Sequence, residues 1–186
     1  MTLMIVLGID PGSQVTGFGL ISVDPRSGAL SHLSHGVIAP PHALDFPNRL
    51  AVIAGEVEAL IARMKPDTVV VERIFLGKNA DSAFKLGHVR GVAVSAAVRA
   101  GCKFVEYAAR AVKKGVTGSG AASKEQVQLV LFAALGLPLK QVKLDASDAL
   151  ALAFYHARNL ESLDAHELSL SREKTRTKSR NRRPEL

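Results

Sequence analysis

Four acidic residues in this sequence have positions that suit divalent-cation chemistry. Asp10 ends the apolar run MIVLGID before a Pro-Gly turn, and Glu72 ends the apolar run DTVVVE. Asp145 and Asp148 are three residues apart at the predicted start of a helix, which places their side chains on one face, about 5–6 Å apart. Ordinary explanations compete with this one, because Asp often opens turns and also caps helices, where it complements the helix dipole.

If these acids converge, their charges need compensation. Two carboxylates about 5 Å apart repel by about 3 kcal/mol at an effective dielectric constant of about 20, and each raises the pKa of the other. Lysines could compensate, but a divalent metal is a stronger and commoner solution, and oxygen ligands without cysteine suit Mg²⁺ or Mn²⁺. Four acids match the charge of two such ions about 3.5–4 Å apart, an arrangement used for in-line attack on phosphodiesters.

The elements around these acids predict an α/β fold. Three strands form a predicted meander, at residues 3–9, 16–23 and 30–40, with PRSG as the hairpin turn. A 3.6-residue period from Phe46 to Met64 predicts a helix, and the apolar run at 67–72 predicts a parallel strand reached by a helical crossover. The first acids therefore end two predicted strands of one sheet.

The second half of the chain continues the alternation. We predict a helix at about 81–100, a strand at CKFVEY, a flexible loop at 116–123, a helix that begins with the Ser123/Gln126 capping box, and a last helix from about Asp145. The predicted order is β-β-β-α-β-α-β-α-α, which indicates a mixed five-stranded sheet flanked by helices. Small residues recur every fourth position in the second helix, at Gly87, Gly91 and Ser95; internal packing is the favoured explanation and a dimer contact the alternative.

Composition and charge indicate one globular domain with a basic tail. The chain has 186 residues, of which 47% are hydrophobic, and a net charge of +7. Residues 171–186 hold seven Lys/Arg and two Glu, so +5 of that charge lies in the tail. We expect a domain at 1–165 and a disordered basic tail at 166–186 that attracts polyanions or only aids solubility. One cysteine, Cys102, and the absence of a signal-peptide pattern or an apolar membrane span predict a cytoplasmic protein with no membrane partner.

Four segments, in order and with compatible spacing, resemble the RuvC family of Holliday junction resolvases. They are LGIDPGSQVTGFGL, VVVERIFLGKNADSAFKLGHVRG, FVEYAARAVKKGVTGSGAASKEQVQ and LDASDALALA. The resemblance implies an RNase H-like fold, a homodimer, and paired symmetric cuts in a four-way DNA junction that leave 5′-phosphate and 3′-hydroxyl ends. It also implies that Asp10, Glu72, Asp145 and Asp148 converge as catalytic ligands of two Mg²⁺ or Mn²⁺ ions per subunit. A RuvA–RuvB branch-migration complex is the implied partner.

Aromatic and basic residues near these acids are candidates for DNA contacts. Phe75, three residues after Glu72, either packs on the core or stacks on an unpaired base, as the resemblance implies. The basic candidates are Lys78, Lys85, Arg90, Arg110, Lys113, Lys114 and Lys124; as a group such residues are often only a solvated surface. Lys113 and Lys124 match basic positions that the family uses on DNA. We expect the histidines to be surface or core residues, not metal ligands.

Three other functions compete with junction cleavage. A sugar-kinase or Hsp70-type ATPase also begins with a strand and a G-x-D-x-G loop, but it needs a second lobe and a longer chain. Another small RNase H-like nuclease, acting on RNA, is disfavoured by the segment ERIFLGKNADSAFKLG. A junction-binding module without catalysis is disfavoured because all four acids are present. Cleavage of a four-way junction, with and without Mg²⁺ or Mn²⁺, separates these alternatives.

Overall fold

A five-stranded mixed sheet forms the centre of the fold. The computed structural model describes residues 2–73, 80–138 and 142–160. The strands are β1 (Met4–Asp10), β2 (Thr16–Val23), β3 (Leu30–Ile38), β4 (Thr68–Glu72) and β5 (Lys103–Tyr107). Their order in the sheet is β3-β2-β1-β4-β5; the first three pair antiparallel, and β4 is parallel to both β1 and β5. The predicted meander with parallel strands beside it is confirmed.

Helices cover both faces of this sheet. They are α1 (Phe46–Met64), α2 (Ala80–Arg99), α3 (Ala109–Thr117), α4 (Lys124–Ala134) and α5 (Leu144–Arg158). Side chains alternate between the faces of the strands: Leu7 and Val69 pack with α1 and α2, whereas Val6 and Val70 pack with α3, α4 and α5. Within the described ranges, none of the helices is both long enough and apolar enough to cross a membrane.

Local signals fix most of the element boundaries. Asp45 caps α1 by accepting a hydrogen bond from the Asn48 amide at 3.0 Å, and α1 ends at Lys65 in the left-handed region. The capping box of Ser123 and Gln126 forms as predicted at the start of α4. The turn between β2 and β3 contains Gly28, whose φ of 69° suits glycine.

The predicted order of elements omits one helix, α3. Its N-cap residue is Ala108, which has no side-chain acceptor, so the sequence lacks the usual signal of a helix start. The available signal was the spacing of Val112 and Val116, which are buried on one side of a short helix that is otherwise basic. The predicted loop at 116–123 is therefore wrong at its start, because α3 continues to Thr117.

Glycines on β1 and β2 let α5 lie directly against the sheet. A Cβ atom on Gly8 would be 2.0 Å from the Ala149 carbonyl oxygen, and one on Gly17 would be 1.9 Å from the Asp145 carbonyl oxygen. No side chain fits at these distances without moving the helix. The two glycines therefore set how closely α5 approaches the end of β1 and the start of β2.

Candidate active site

Asp10 and Glu72 end neighbouring strands at one edge of the sheet. Ile9 pairs with Val71 in the parallel register of β1 and β4, and Asp10 and Glu72 are the residues that follow them. Because parallel strands present their C-terminal ends at the same edge, both carboxylates lie there. The expectation that these two strands are neighbours is confirmed.

The turn after Asp10 is closed by Thr16, a residue that the sequence analysis did not single out. The Thr16 hydroxyl donates a hydrogen bond to the Gly12 carbonyl oxygen at 2.9 Å and accepts one from the Gly12 amide at 3.3 Å. Thr16 is fully buried, so this contact is shielded from water. The turn thus ties the end of β1 to the start of β2 and fixes the backbone beside Asp10.

Helix α5 supplies the other two acids. Its N-cap is Lys143 and its first turn contains Asp145, so Asp145 is not the capping residue, although an acid there still complements the helix dipole. Asp148 follows one turn later and faces the ends of β1 and β4 across an open cleft of about 240 Å³. The cleft is lined by Asp10, Glu72, Ala109, Val112, Lys113, Lys124, Val127, Asp148, Ala151 and Leu152.

Burial and mutual repulsion oppose the negative charges in the cleft. Burial, followed by the charges of Glu72 and Asp148, raises the pKa of Asp10 to about 7. Asp145 is close enough to add to this increase, although it does not line the cleft. Burial and the charge of Asp148 also raise the pKa of Glu72. The carboxylates are therefore close enough for their charges to raise the pKa of Asp10 and of Glu72.

Two lysines compensate part of this charge. The Lys124 ammonium donates a hydrogen bond to the Asp148 carboxylate in an ion pair. Partial burial opposes the charge of Lys124, but its bond to Asp148 and the nearby carboxylates together raise its pKa. The Lys113 ammonium also lines the cleft and donates to the Ala122 carbonyl oxygen at 2.8 Å. Both lysines thus hold positive charge beside the acids.

The carboxylates lie around the cleft but are not grouped closely enough to coordinate one metal ion together. Among the residues that the structure describes, no three His, Cys, Asp or Glu side chains are close enough together to hold a metal ion. The Asp148 carboxylate is paired with Lys124. The structure brings Asp10, Glu72 and Asp148 to one cleft with Asp145 beside it, while their role as metal ligands stays a prediction.

The remaining candidates for DNA contacts lie in different surroundings. Lys85 pairs with Asp81 one turn earlier at 2.6 Å, and Arg90 forms an ion pair with Glu106 on β5. Arg110 and Lys114 are exposed on α3, near the cleft residue Lys113. Two further candidates lie outside the described residues, Phe75 and Lys78. The structure therefore places Lys113 and Lys124 in the cleft and gives Lys85 and Arg90 partners within the protein.

Known proteins share both the sequence and the arrangement of these elements. The family model of crossover junction endodeoxyribonuclease RuvC matches residues 6–156. Crossover junction endodeoxyribonuclease RuvC of Bdellovibrio bacteriovorus is 50% identical over 154 residues, which are 83% of this chain and 90% of that protein. A structure of Thermus thermophilus RuvC in complex with Holliday junction substrate is 31% identical, with a TM-score of 0.77, and the match covers 84% of this chain and 94% of that one.

A more distant structure shares the fold alone. The yeast mitochondrial Holliday junction resolvase Ydc2 is 14% identical, with a TM-score of 0.63, and the match covers 90% of this chain and 83% of that one. Its likeness supports the RNase H-like arrangement of sheet and helices. The family model spans both strand-end acids and both α5 acids, and the chain belongs to the RuvC family of crossover junction endodeoxyribonucleases.

Proposed function

We propose that this protein is a metal-dependent endonuclease that resolves four-way (Holliday) DNA junctions by paired symmetric nicks, in recombination and repair. The observation that carries the proposal is the cleft itself, where carboxylates from β1, β4 and α5 face one another beside two lysines. A relative that is 31% identical has been solved with a Holliday junction substrate. The arrangement suits a negatively charged substrate that is brought to the acids by cations.

The donor chemistry of the cleft fits divalent cations. Asp10, Glu72, Asp145 and Asp148 would supply oxygen ligands only, as Mg²⁺ and Mn²⁺ prefer, and we expect two ions per subunit. Burial and the charges of Glu72 and Asp148 raise the pKa of Asp10 despite the opposing charge of Lys124, so a bound cation would favour the ionised carboxylate. When bound, such ions activate a water molecule for attack and stabilise the leaving 3′-oxygen, which gives 5′-phosphate and 3′-hydroxyl ends.

The protein's own cations would orient the DNA backbone. Lys113 and Lys124 stand in the cleft, where an ammonium group can contact a phosphate that approaches the acids. Binding of metal or phosphate would compete with the present bond between Lys124 and Asp148. Arg110 and Lys114, exposed on α3, would extend this basic surface, and we expect Phe75 to stack on an unpaired base.

Paired nicks require two active sites, so we propose that the protein acts as a homodimer. An open groove between α1 and α2 is lined mostly by small and apolar residues, among them Ala54, Gly87, Gly91 and Val92. A Cβ on either glycine would meet no atom within 4 Å, so internal packing does not require these glycines. We propose that a second copy of the chain packs against this groove. We further propose a cytoplasmic protein that cooperates with a RuvA–RuvB complex.

Cleavage of a synthetic four-way junction tests this function. We expect nicks at symmetric positions in two opposite strands with Mg²⁺ or Mn²⁺, no cleavage with EDTA, and products that DNA ligase reseals. A linear duplex of the same sequence is the control and should stay intact. Binding without cleavage would instead indicate a junction-binding module, and equal cleavage of the duplex would indicate another nuclease.

A further inference from the structure

A partly buried hydrogen bond beside the cleft joins β5 to α5, the helix that carries Asp145 and Asp148. The Tyr107 hydroxyl and Nδ1 of His156 are 2.9 Å apart. Tyr107 is the last residue of β5, and His156 lies on α5 with only 1% of its surface exposed. Because His156 is buried, this hydrogen bond offsets part of the cost of removing its ring nitrogen from water.

The backbone of Tyr107 is bonded to the strand that ends at Glu72. In the parallel pairing of β4 with β5, Tyr107 is the partner of Glu72. The amide of Arg73, the next residue, donates a hydrogen bond to the Tyr107 carbonyl oxygen at 2.8 Å. A shift of Tyr107 therefore moves the backbone on which the Glu72 carboxylate stands.

His156 lies farther along α5 than Asp148, on an adjoining side of the helix. The two are eight residues apart, about 2.2 turns or about 80° of rotation, and Leu152 lies midway between them in the wall of the cleft. Because a helix is stiff over two turns, a contact at His156 fixes how Asp148 faces the sheet. The bond to Tyr107 thus links α5 to β5, the strand that pairs with β4 at Glu72.

The Tyr107 ring makes a further contact that reaches α3. It packs edge-on against Tyr155, with ring centroids 4.8 Å apart. The Tyr155 ring in turn lies over Gly115 of α3, where a Cβ atom would be only 2.2 Å from it. This ring contact is apolar and would survive removal of the Tyr107 hydroxyl, so the hydrogen bond and the packing can be tested separately.

We propose that Tyr107 and His156 are positioning residues, whose hydrogen bond sets the separation of Glu72 and Asp148 for the shared binding of metal ions. The inference rests on the proposed function. Burial, reinforced by Tyr155, raises the pKa of Tyr107 to about 12, so the hydroxyl keeps its proton in every working buffer. Neither residue lines the cleft, and both act through the carboxylates.

The variant Tyr107→Phe tests this role because it removes only the hydroxyl. Mn²⁺ binding to the full-length protein without DNA is followed by the electron paramagnetic resonance signal of free Mn²⁺. Single-turnover junction cleavage is then measured as a function of Mg²⁺. We expect the half-saturating concentration of both metals to rise about tenfold or more, as is typical when groups that orient metal ligands are removed. Junction affinity without divalent cations should stay within about twofold of wild type.

Three further variants separate positioning from general packing. Tyr155→Phe removes a hydroxyl from the same ring cluster and should leave the metal dependence unchanged. His156→Asn, whose amide lies near the position of Nδ1, should be closer to wild type than His156→Ala. The double variant Tyr107→Phe/His156→Ala should be no worse than His156→Ala, since both changes break one hydrogen bond.

The outcomes distinguish this inference from the proposed function. If wild-type protein does not cleave junctions, the proposed function fails, and the Mn²⁺ titrations still decide the role of the pair. If Tyr107→Phe binds Mn²⁺ and responds to Mg²⁺ like wild type, the positioning role is overturned, whatever its melting temperature. An equal shift in Tyr155→Phe would also overturn it, because the cause would then be packing.

Discussion

The two faces of the sheet are packed in different ways. On the α1/α2 face, contact is made by large apolar side chains such as Leu7, Val69 and Ile53, and charged residues stand in ion pairs such as Arg90–Glu106. On the α5 face, Gly8 and Gly17 let the helix backbone touch the strands. That face also carries acids that repel one another, and Asp10 has a raised pKa.

This difference suggests that the α1/α2 face mainly stabilises the domain, whereas the α5 face positions the acids. Side-chain packing on the α1/α2 face tolerates adjustment, because side chains can repack around a change. Backbone contact on the α5 face cannot adjust without moving the acids, and the acids themselves oppose folding when no cation binds them. We therefore expect changes on the α5 face to alter cleavage, and changes to the side chains beneath α1 and α2, away from the proposed dimer groove, to alter stability alone.

The largest effect is expected from Asp10→Asn. Cleavage of a four-way junction should fall by about a thousandfold or more, because the amide is a poor metal ligand, while junction binding is retained or improved as repulsion of phosphate falls. The measurement is a single-turnover cleavage assay beside a gel-shift titration. Cleavage at the wild-type rate in Mn²⁺ would show that Asp10 is not a metal ligand.

The same variant should reveal the cost of the acid to folding. Between pH 4 and 7 the folded protein keeps a proton on Asp10 that the unfolded chain releases, so stability falls as pH rises through this range. Asp10→Asn should therefore be more stable than wild type at pH 8 in EDTA, by up to about 4 kcal/mol, and nearly equal at pH 4. Urea unfolding of both proteins at pH 4 and pH 8 measures this difference in stability. An equal difference at the two pH values would contradict the raised pKa of Asp10.

A pair of glycine substitutions compares backbone contact with open space. Gly17→Ala places a methyl group 1.9 Å from the Asp145 carbonyl oxygen, and should lower the free energy of unfolding by about 3 kcal/mol and reduce cleavage by the folded protein. Gly55→Ala, in α1 with no atom within 4 Å, should raise that free energy by about 1 kcal/mol and leave cleavage unchanged. Similar losses in both variants would show that the close approach of α5 is unimportant.

The smallest effect is expected from Arg90→Gln on the α1/α2 face. Loss of its partly buried ion pair with Glu106 should cost about 1 kcal/mol of stability and change neither the cleavage rate nor the junction affinity by more than about twofold. Urea unfolding measures the stability, a single-turnover assay measures the cleavage rate, and gel-shift titration measures the junction affinity. A junction affinity several-fold weaker, at unchanged stability, would instead support the predicted DNA contact of Arg90.

The sequence predicted the site most reliably where its signals were local. Asp10 and Glu72 were expected at strand ends because short apolar runs stop there, and the register of Ile9 with Val71 puts them side by side. The capping box at Ser123 also follows from residues three apart. Helix α3 was missed because its first turn has no capping side chain.

What the sequence determined by itself was the order of the strands and of every described helix except α3, together with the acids at their ends, since turns, caps and periodicity depend on near neighbours along the chain. What only the tertiary structure decided was which distant groups meet: Lys124 with Asp148, and Tyr107 with His156. These partners are 24 and 49 residues apart, and their contact depends on how closely α5 settles on the glycines of β1 and β2. Such distances arise from the packing of whole elements, which no local pattern specifies.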